Sequence, residues 1–363
     1  MEILGLHYII WVVLVVYFAG MLLMGWWSKQ GIRNQEGFLL GNRQFGVGMI
    51  IMHAFGAGTN PGDVAGVMSK TVSHGASGIW VSWMWMFGTP FYWLIAPIIR
   101  RMRCLTLADF FQERYGKKAT VFYIIVATVG MIIFLASALL ATTRTVQGMM
   151  GKSATINHAE QSVTATSAES NTKQTEETAA EAMPPLRTAK AITERESEMW
   201  FFGILILTTV IFVIYGYWGG IVAAIRTDMV QGLMIIVLSF LAIPAAIHLK
   251  EVGSLTGMRE SLGALSTADT NYLSMFDPTM FNIWAVILLC VNGAVSMLSQ
   301  PHLMSVCAAG QTEWEGRVGF CYGNILKRIC TMGWCILGLC WLTYLLKTGA
   351  DVHPDAAFGD SVR

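Results

Sequence analysis

The sequence predicts an all-α, polytopic membrane protein, and three observations carry that reading. Of its 363 residues, 54% are hydrophobic and 13% are charged, against about 25% charged in ordinary soluble domains. The charges gather between long uncharged runs and do not mark one face of amphipathic helices. Two of these runs are interrupted at mid-length by a proline among polar residues, an arrangement tolerated in hydrocarbon only where protein or a water-filled cavity satisfies the backbone. The lipid bilayer is therefore the expected surrounding. A net charge of +1 leaves no concentrated basic surface for nucleic acid, and nothing in the sequence specifies a protein partner.

Crossing the hydrocarbon core takes about 20 residues. Eight runs approach that length: 7–27, 46–68, 76–99, 120–143, 200–218, 229–248, 279–308 and 329–346. The first is preceded by Glu2 with no basic stretch and is too long for a signal-peptide core, so it stays as a membrane helix. Lys and Arg concentrate in alternate loops: Lys29, Arg33 and Arg43, then Arg100, Arg101, Arg103, Arg114, Lys117 and Lys118, then Arg226, then Arg317, Lys327 and Arg328. The opposite short loops hold Lys70, Lys250, Arg259 and Lys347. With the basic loops inside, the N-terminus and residues 152–199 lie outside a plasma membrane.

Four regions follow. Residues 1–151 carry helices one to four, with the first broken helix. Residues 152–199 turn abruptly to Ala, Thr, Ser and Glu with a Pro184-Pro185 break, and read as a polar, disordered exterior insert. Residues 200–347 carry helices five to eight, with a second broken helix at about 292–302, and 348–363 form an exterior C-terminal segment. The seven cysteines show no paired metal spacing and read as packing residues.

The broken runs are the candidate site. In the second run, Gly56, Gly58, Pro61 and Gly62 stand with Asn60 and Asp63 where a continuous helix would have to pass. A proline removes a backbone donor and frees carbonyls near positions 56 to 59, which suit a small hard cation; the other reading is a kink that only shapes packing. The seventh run repeats the pattern with Asn292, Gly293, Ser296, Ser299, Gln300, Pro301 and His302. Breaks five helices apart are what a five-helix unit, repeated after one leading helix, produces. Asp228 is a further interior candidate, with an ion pair to Arg226 as the alternative. The tryptophans of the third run (Trp80, Trp83, Trp85, Trp93) fit either helix packing or stacking on a planar solute, and Ser82 falls near mid-depth.

Three stretches, Glu36-Gly-Phe-Leu-Leu-Gly-Asn-Arg43, Thr106-Leu-Ala-Asp109-Phe-Phe-Gln-Glu113-Arg-Tyr-Gly116-Lys-Lys, and Tyr215-Gly-Tyr-Trp-Gly219-Gly220 followed by Thr227-Asp228-Met-Val-Gln231, resemble the sodium/solute symporter family. Ser299-Gln300-Pro301-His302 and Pro354-Asp-Ala-Ala-Phe358 add weaker likeness. The resemblance implies a LeuT-like inverted-repeat helix bundle with one helix ahead of the core. It implies sodium as coupling ion on the carbonyls of Gly56 and Thr59, with Asp228 on the cation pathway. By the same carry-over, solute-facing positions fall on Gly58, Asn60, Asp63, Ser82, Ser299, Gln300 and His302. Arg226 stands where the family commonly has Trp, and Ser305 and Val306 lie near the place of a usual Arg. The family's hydroxyl ligands for sodium come from its eighth core helix, so the second repeat is expected to be incomplete within this chain, as a C-terminal truncation would leave it.

The expected function is sodium-coupled symport of a small organic solute by alternating access, with no cofactor beyond the ion. Two other readings stand beside it, a non-transporting membrane sensor or interaction module and an inactive truncated symporter. An intramembrane enzyme is disfavoured, since the sequence holds no His-Glu-x-x-His and no Gly-x-Ser-x-Gly.

Overall fold

The computed structural model describes residues 2–3, 6–30, 32–149, 194–266, 271–296 and 303–349. Apart from a two-residue pairing of Glu2–Ile3 with Leu6–His7, the described chain is helical. The elements are α1 (Tyr8–Lys29), α2 (Gln35–Leu40), α3 (Val47–Ala57), α4 (Pro61–His74), α5 (Trp80–Trp83), α6 (Thr89–Met102), α7 (Leu107–Met149), α8 (Glu194–Ile247), α9 (Leu255–Leu265), α10 (Ile283–Ser296), α11 (Leu303–Ala308) and α12 (Glu313–Thr348). Short 3-10 turns flank α5 at Gly75–Ile79 and Met84–Gly88.

Among the described residues, four helices are long and apolar enough to cross a bilayer: Ile10–Lys29, Leu107–Val146, Gly216–Ile247 and Glu313–Thr348. Val15, Val16, Phe122, Ile132, Leu207 and Leu241 are all more than half exposed on α1, α7 and α8. Water would make such faces untenable, whereas hydrocarbon is their natural solvent. The protein is a multi-pass membrane protein.

Helix α8 begins at Glu194, inside the segment 152–199, and its backbone breaks at Gly220 (φ 49°, ψ −143°). A side chain at Gly220 would meet the Phe38 carbonyl at 2.6 Å, and one at Gly219 would meet the Gly25 carbonyl at 3.0 Å. These glycines therefore let α8 lie directly on α1 and α2. Arg226 donates to Ser28 Oγ (3.2 Å) and lies over the Trp27 ring, so its partners are on α1 and the alternative Arg226–Asp228 ion pair is not formed.

The centre of the bundle is α12 packed against α3, α4 and α6. Its small residues make this possible. A Cβ on Gly319 would stand 2.2 Å from Ile50 Cγ2, and one on Gly323 would stand 2.7 Å from Ala54 Cβ and 2.8 Å from the Ile51 carbonyl. The α12 backbone thus lies directly against the side chains and backbone of α3. One apolar cluster gathers Phe45, Ile50, Tyr92, Ile225 and Phe320 toward the start of α12, and another gathers Phe55, Val67, Trp334 and Leu342 toward its end. Cys330, Cys335 and Cys340 are buried free thiols within α12.

Both ends of this core are tied. At one, Phe45 N–H donates to the Ala309 carbonyl (3.3 Å), Gln311 N–H to the Phe45 carbonyl (3.1 Å), and Arg101 forks onto Glu313 at 2.7 and 2.9 Å. At the other, His74 Nδ1 lies 2.6 Å from Asp277 Oδ2, and Thr279 donates from both backbone and hydroxyl to Asp277. Burial pushes the Asp277 carboxyl up, but the Thr279 donors and His74 outweigh it and hold the group below its ordinary value.

Two outcomes are expected. Gly323→Val should lower stability by about 1–3 kcal/mol through overpacking, read as a lower thermal midpoint in detergent, with Gly203→Val, which has open space around it, as the neutral control. Because the folded Asp277 pKa is depressed, its contribution is complete above about pH 4 and is lost as pH falls further. Unfolding midpoints across pH should therefore show Asp277→Asn weaker than the parent at neutrality, with the gap closing below about pH 4.

Candidate functional site

The interruption between α3 and α4 is built by its own sequence. Gly58 ends α3, its N–H bonding back to the Ala54 carbonyl at 3.2 Å. Asn60-Pro61-Gly62-Asp63 then starts a new helix. Asn60 is extended at the N-cap, Pro61 stands in the first turn where no donor is needed, and Asn60 and Asp63 form a reciprocal capping box at 2.9 and 3.2 Å. The polar residues that looked foreign to a membrane helix are the chemistry that lets one helix stop and another begin at that depth.

The released carbonyls find specific partners. That of Gly56 accepts from the Thr59 N–H at 3.1 Å, which uses one of its two lone pairs. That of Gly58 accepts from the Lys327 ammonium, which also reaches Asp63 Oδ2 at 2.9 Å. Thr59 Oγ1 is buried with no hydrogen-bond partner. An unsatisfied hydroxyl beside a carbonyl with a spare lone pair is a donor set that suits a small hard cation.

On the other side of the break, Asp228 of α8 lies directly against Gly56, where a Cβ would be 2.9 Å from the Asp228 Cβ. Only glycine lets the carboxylate come so close to the end of α3. Asp228 Oδ2 is 2.7 Å from His53 Nδ1, and His53 is 3% exposed with its Nε2 unpartnered. The pair joins α3 to α8 at the same level as the break.

Ser82 is buried, and its hydroxyl and carbonyl both accept from the Arg328 guanidinium. Arg328 Nη2 also donates to Asn324 Oδ1 at 2.7 Å, and Asn324 Nδ2 donates to Thr89 Oγ1 at 2.6 Å. Thus Gly56, Gly58, Thr59, Asn60, Asp63 and Asp228 come together at the interruption, while Ser82 is linked to it through α12. Ser299, Gln300 and His302 lie outside the described residues: α10 ends at Ser296 and α11 starts at Leu303. Asn292 and Gly293, placed by the sequence in the second break, belong to α10.

His53, Asn324, Lys327 and Arg328 escaped the sequence reading. Lys327 and Arg328 were assigned to a basic loop ahead of a span starting at 329; the structure corrects this, burying both within the continuous α12 at 8% and 6% exposure. The alternating excess of Lys and Arg persists without them. A signal was present, since Gly316, Gly319 and Gly323 recur at three- and four-residue steps, the mark of a tightly packed membrane helix that begins well before residue 329.

Residues 38–159 match the sodium:solute symporter family. The matched stretch contains the whole first break and Ser82. The osmoregulated proline transporter OpuE of Bacillus subtilis (strain 168) is 24% identical over 355 residues, covering 94% of this chain and 61% of that protein. The chain therefore spans about three fifths of that relative's length. In structure, a Na+-coupled sialic acid symporter in a substrate-bound outward-open state matches with a TM-score of 0.64 and 13% identity, over 99% of this chain and 70% of the other. The fold is thus the LeuT-like helix bundle of that structure, and residues 38–159 carry the likeness to the symporter family.

The Lys327–Asp63 pair is testable as a coupled unit. Removing one partner leaves a buried charge, so Lys327→Met and Asp63→Asn should each cost about 2–3 kcal/mol, with partial solvent access at Asp63 keeping the figure below that of a sealed pair. The double variant should cost clearly less than the sum, as read from unfolding midpoints in a double-mutant cycle. Strict additivity would show that the two charges do not interact.

Proposed function

We propose that the protein is part of a sodium-coupled symporter that moves a small organic solute across the plasma membrane by alternating access, with the N-terminus and the 152–199 segment outside. The observation that carries this reading is the conjunction at one depth of an interrupted helix, the Asp228 carboxylate packed on Gly56, and the buried, unsatisfied Thr59 hydroxyl. Family likeness over residues 38–159 supports the coupling ion.

In this reading sodium is held by the carbonyls of Gly56 and Thr59, with the Thr59 hydroxyl within reach and Asp228 drawing the cation toward the break. The C-terminal end of α3 adds its negative dipole. Solute meets the other side of the interruption, at Gly58, Asn60, Asp63 and Ser82, with Ser299, Gln300 and His302 contributed by the second break. Coupling is then mechanical. A bound ion stabilises one arrangement of α3 against α8, and the solute senses that arrangement through α4, which is separated from the end of α3 by only three residues. The ties at the two ends of the core, Arg101–Glu313 and His74–Asp277, are the contacts that must open in turn.

In proteoliposomes carrying the full protein, an inward sodium gradient should drive accumulation of a labelled solute from a panel that includes L-proline and sialic acid, the solutes named for the two relatives. Collapse of the gradient should abolish it. Asp228→Asn should raise the sodium concentration needed for half-maximal uptake at least about tenfold, with folded yield little changed. Sodium dependence equal to the parent's in that variant would leave Asp228 as a structural partner of His53, and uptake indifferent to sodium across the panel would overturn the symport reading.

A further inference from the structure

The contacts buried around the interruption leave one cation without an anionic partner in contact. Asp228 is committed to His53, and Asp63 is engaged by Lys327 and by the Asn60 N–H. Arg328 has no carboxylate in hydrogen-bond contact among the described residues. Its Nη1 donates to the carbonyl and hydroxyl of Ser82 and its Nη2 to Asn324 Oδ1, all neutral acceptors, and its Nε is buried without a partner. A guanidinium does not lose its proton inside a protein, so a full positive charge at 6% exposure is contacted only by dipoles, and the one carboxylate that acts on it through space, Asp63, is already paired with Lys327. That arrangement is unfavourable unless an anion arrives to complete it.

The acceptors are themselves fixed in place. Ser82 Oγ is 3.1 Å from Thr331 Oγ1, Asn324 is held by Thr89, and Trp83 Nε1 donates to the Arg328 carbonyl at 3.4 Å. The guanidinium is thus pre-organised, and its planar set of donors matches a carboxylate better than any neutral group. Lys327, the adjacent residue, brings its ammonium to Gly58 and Asp63 at the break itself, so one cation stands at the place where the half-helices part and the other beside Ser82, one residue on along α12.

We propose that Arg328 is the receptor for a carboxylate of the transported solute, so that the protein selects small organic anions or zwitterions and rejects neutral sugars and polyols. The proposal rests on the transport reading and names the solute class of that site. A solute without a carboxylate leaves the guanidinium unpaired, and sites built around a buried polar group discriminate strongly against ligands that leave it so.

The test uses the full protein in detergent, without any gradient, and acetate against its neutral isostere acetamide at constant sodium and ionic strength. Acetate should raise the unfolding midpoint saturably, and acetamide should need at least about a hundredfold higher concentration for the same rise. Arg328→Gln should lose the acetate response, while Arg259→Gln, at an exposed position of α9 remote from the interruption, should keep it. Arg328→Lys, which retains the charge without the planar fork, should shift the acetate midpoint concentration at least about tenfold upward and serves should the glutamine variant not fold. Equal responses to acetate and acetamide, or an acetate response surviving in the Arg328 variants, would overturn the proposal. Acetate binding without sodium-driven uptake would instead overturn the transport reading alone.

Discussion

A helix that stops and restarts inside a membrane exposes backbone groups to a medium that cannot satisfy them, and the site depends on how that problem is met. At Gly58 a lysine from a distant helix supplies the missing donor. At Asn60 the restart is satisfied internally, by a capping box that uses Asp63 twice, as cap and as counter-ion to the same lysine. Removing water from this region strengthens each contact and also raises the cost of leaving any one unmade. The break is therefore rigid where it is satisfied and receptive where it is not, at the Thr59 hydroxyl and the Arg328 guanidinium.

That distribution separates two chemistries across a short stretch of chain. On the α8 side stand a carboxylate, a carbonyl and a hydroxyl, acceptors suited to a cation. On the α12 side stand two cations with a single carboxylate between them. A cation and an anion bound on opposite sides of one interruption would each lower the cost of the other's burial, which gives coupling a simple electrostatic basis in addition to any movement of helices. The glycines at 56, 319 and 323 make this geometry possible, since a side chain at any of them would hold α8 or α12 too far from α3.

Much of the architecture was legible because it is written locally. Long apolar runs announce helices that lie in hydrocarbon, and Asn60-Pro61-Gly62-Asp63 carries both a helix stop and a helix start within four residues. Asp228 stood out as an ionisable group next to a membrane run. By contrast, Lys327 and Arg328 looked like ordinary loop charges, because a sequence gives a charged pair between two apolar stretches the same appearance whether it is solvated or buried. His53 looked like one polar residue on an apolar helix, and nothing near it in sequence announces Asp228.

The sequence by itself determined the membrane class, the helical fold, the place of the first interruption and the residues that cap it, since hydrophobic run length and capping act over a few neighbouring residues. Only the tertiary structure decided which groups fill the interruption. Lys327 and Asp63 are 264 positions apart, and His53 and Asp228 are 175 apart. Their pairing follows from glycine-mediated contact of α3 with α8 and α12, a property of helix surfaces meeting in space that no local pattern encodes.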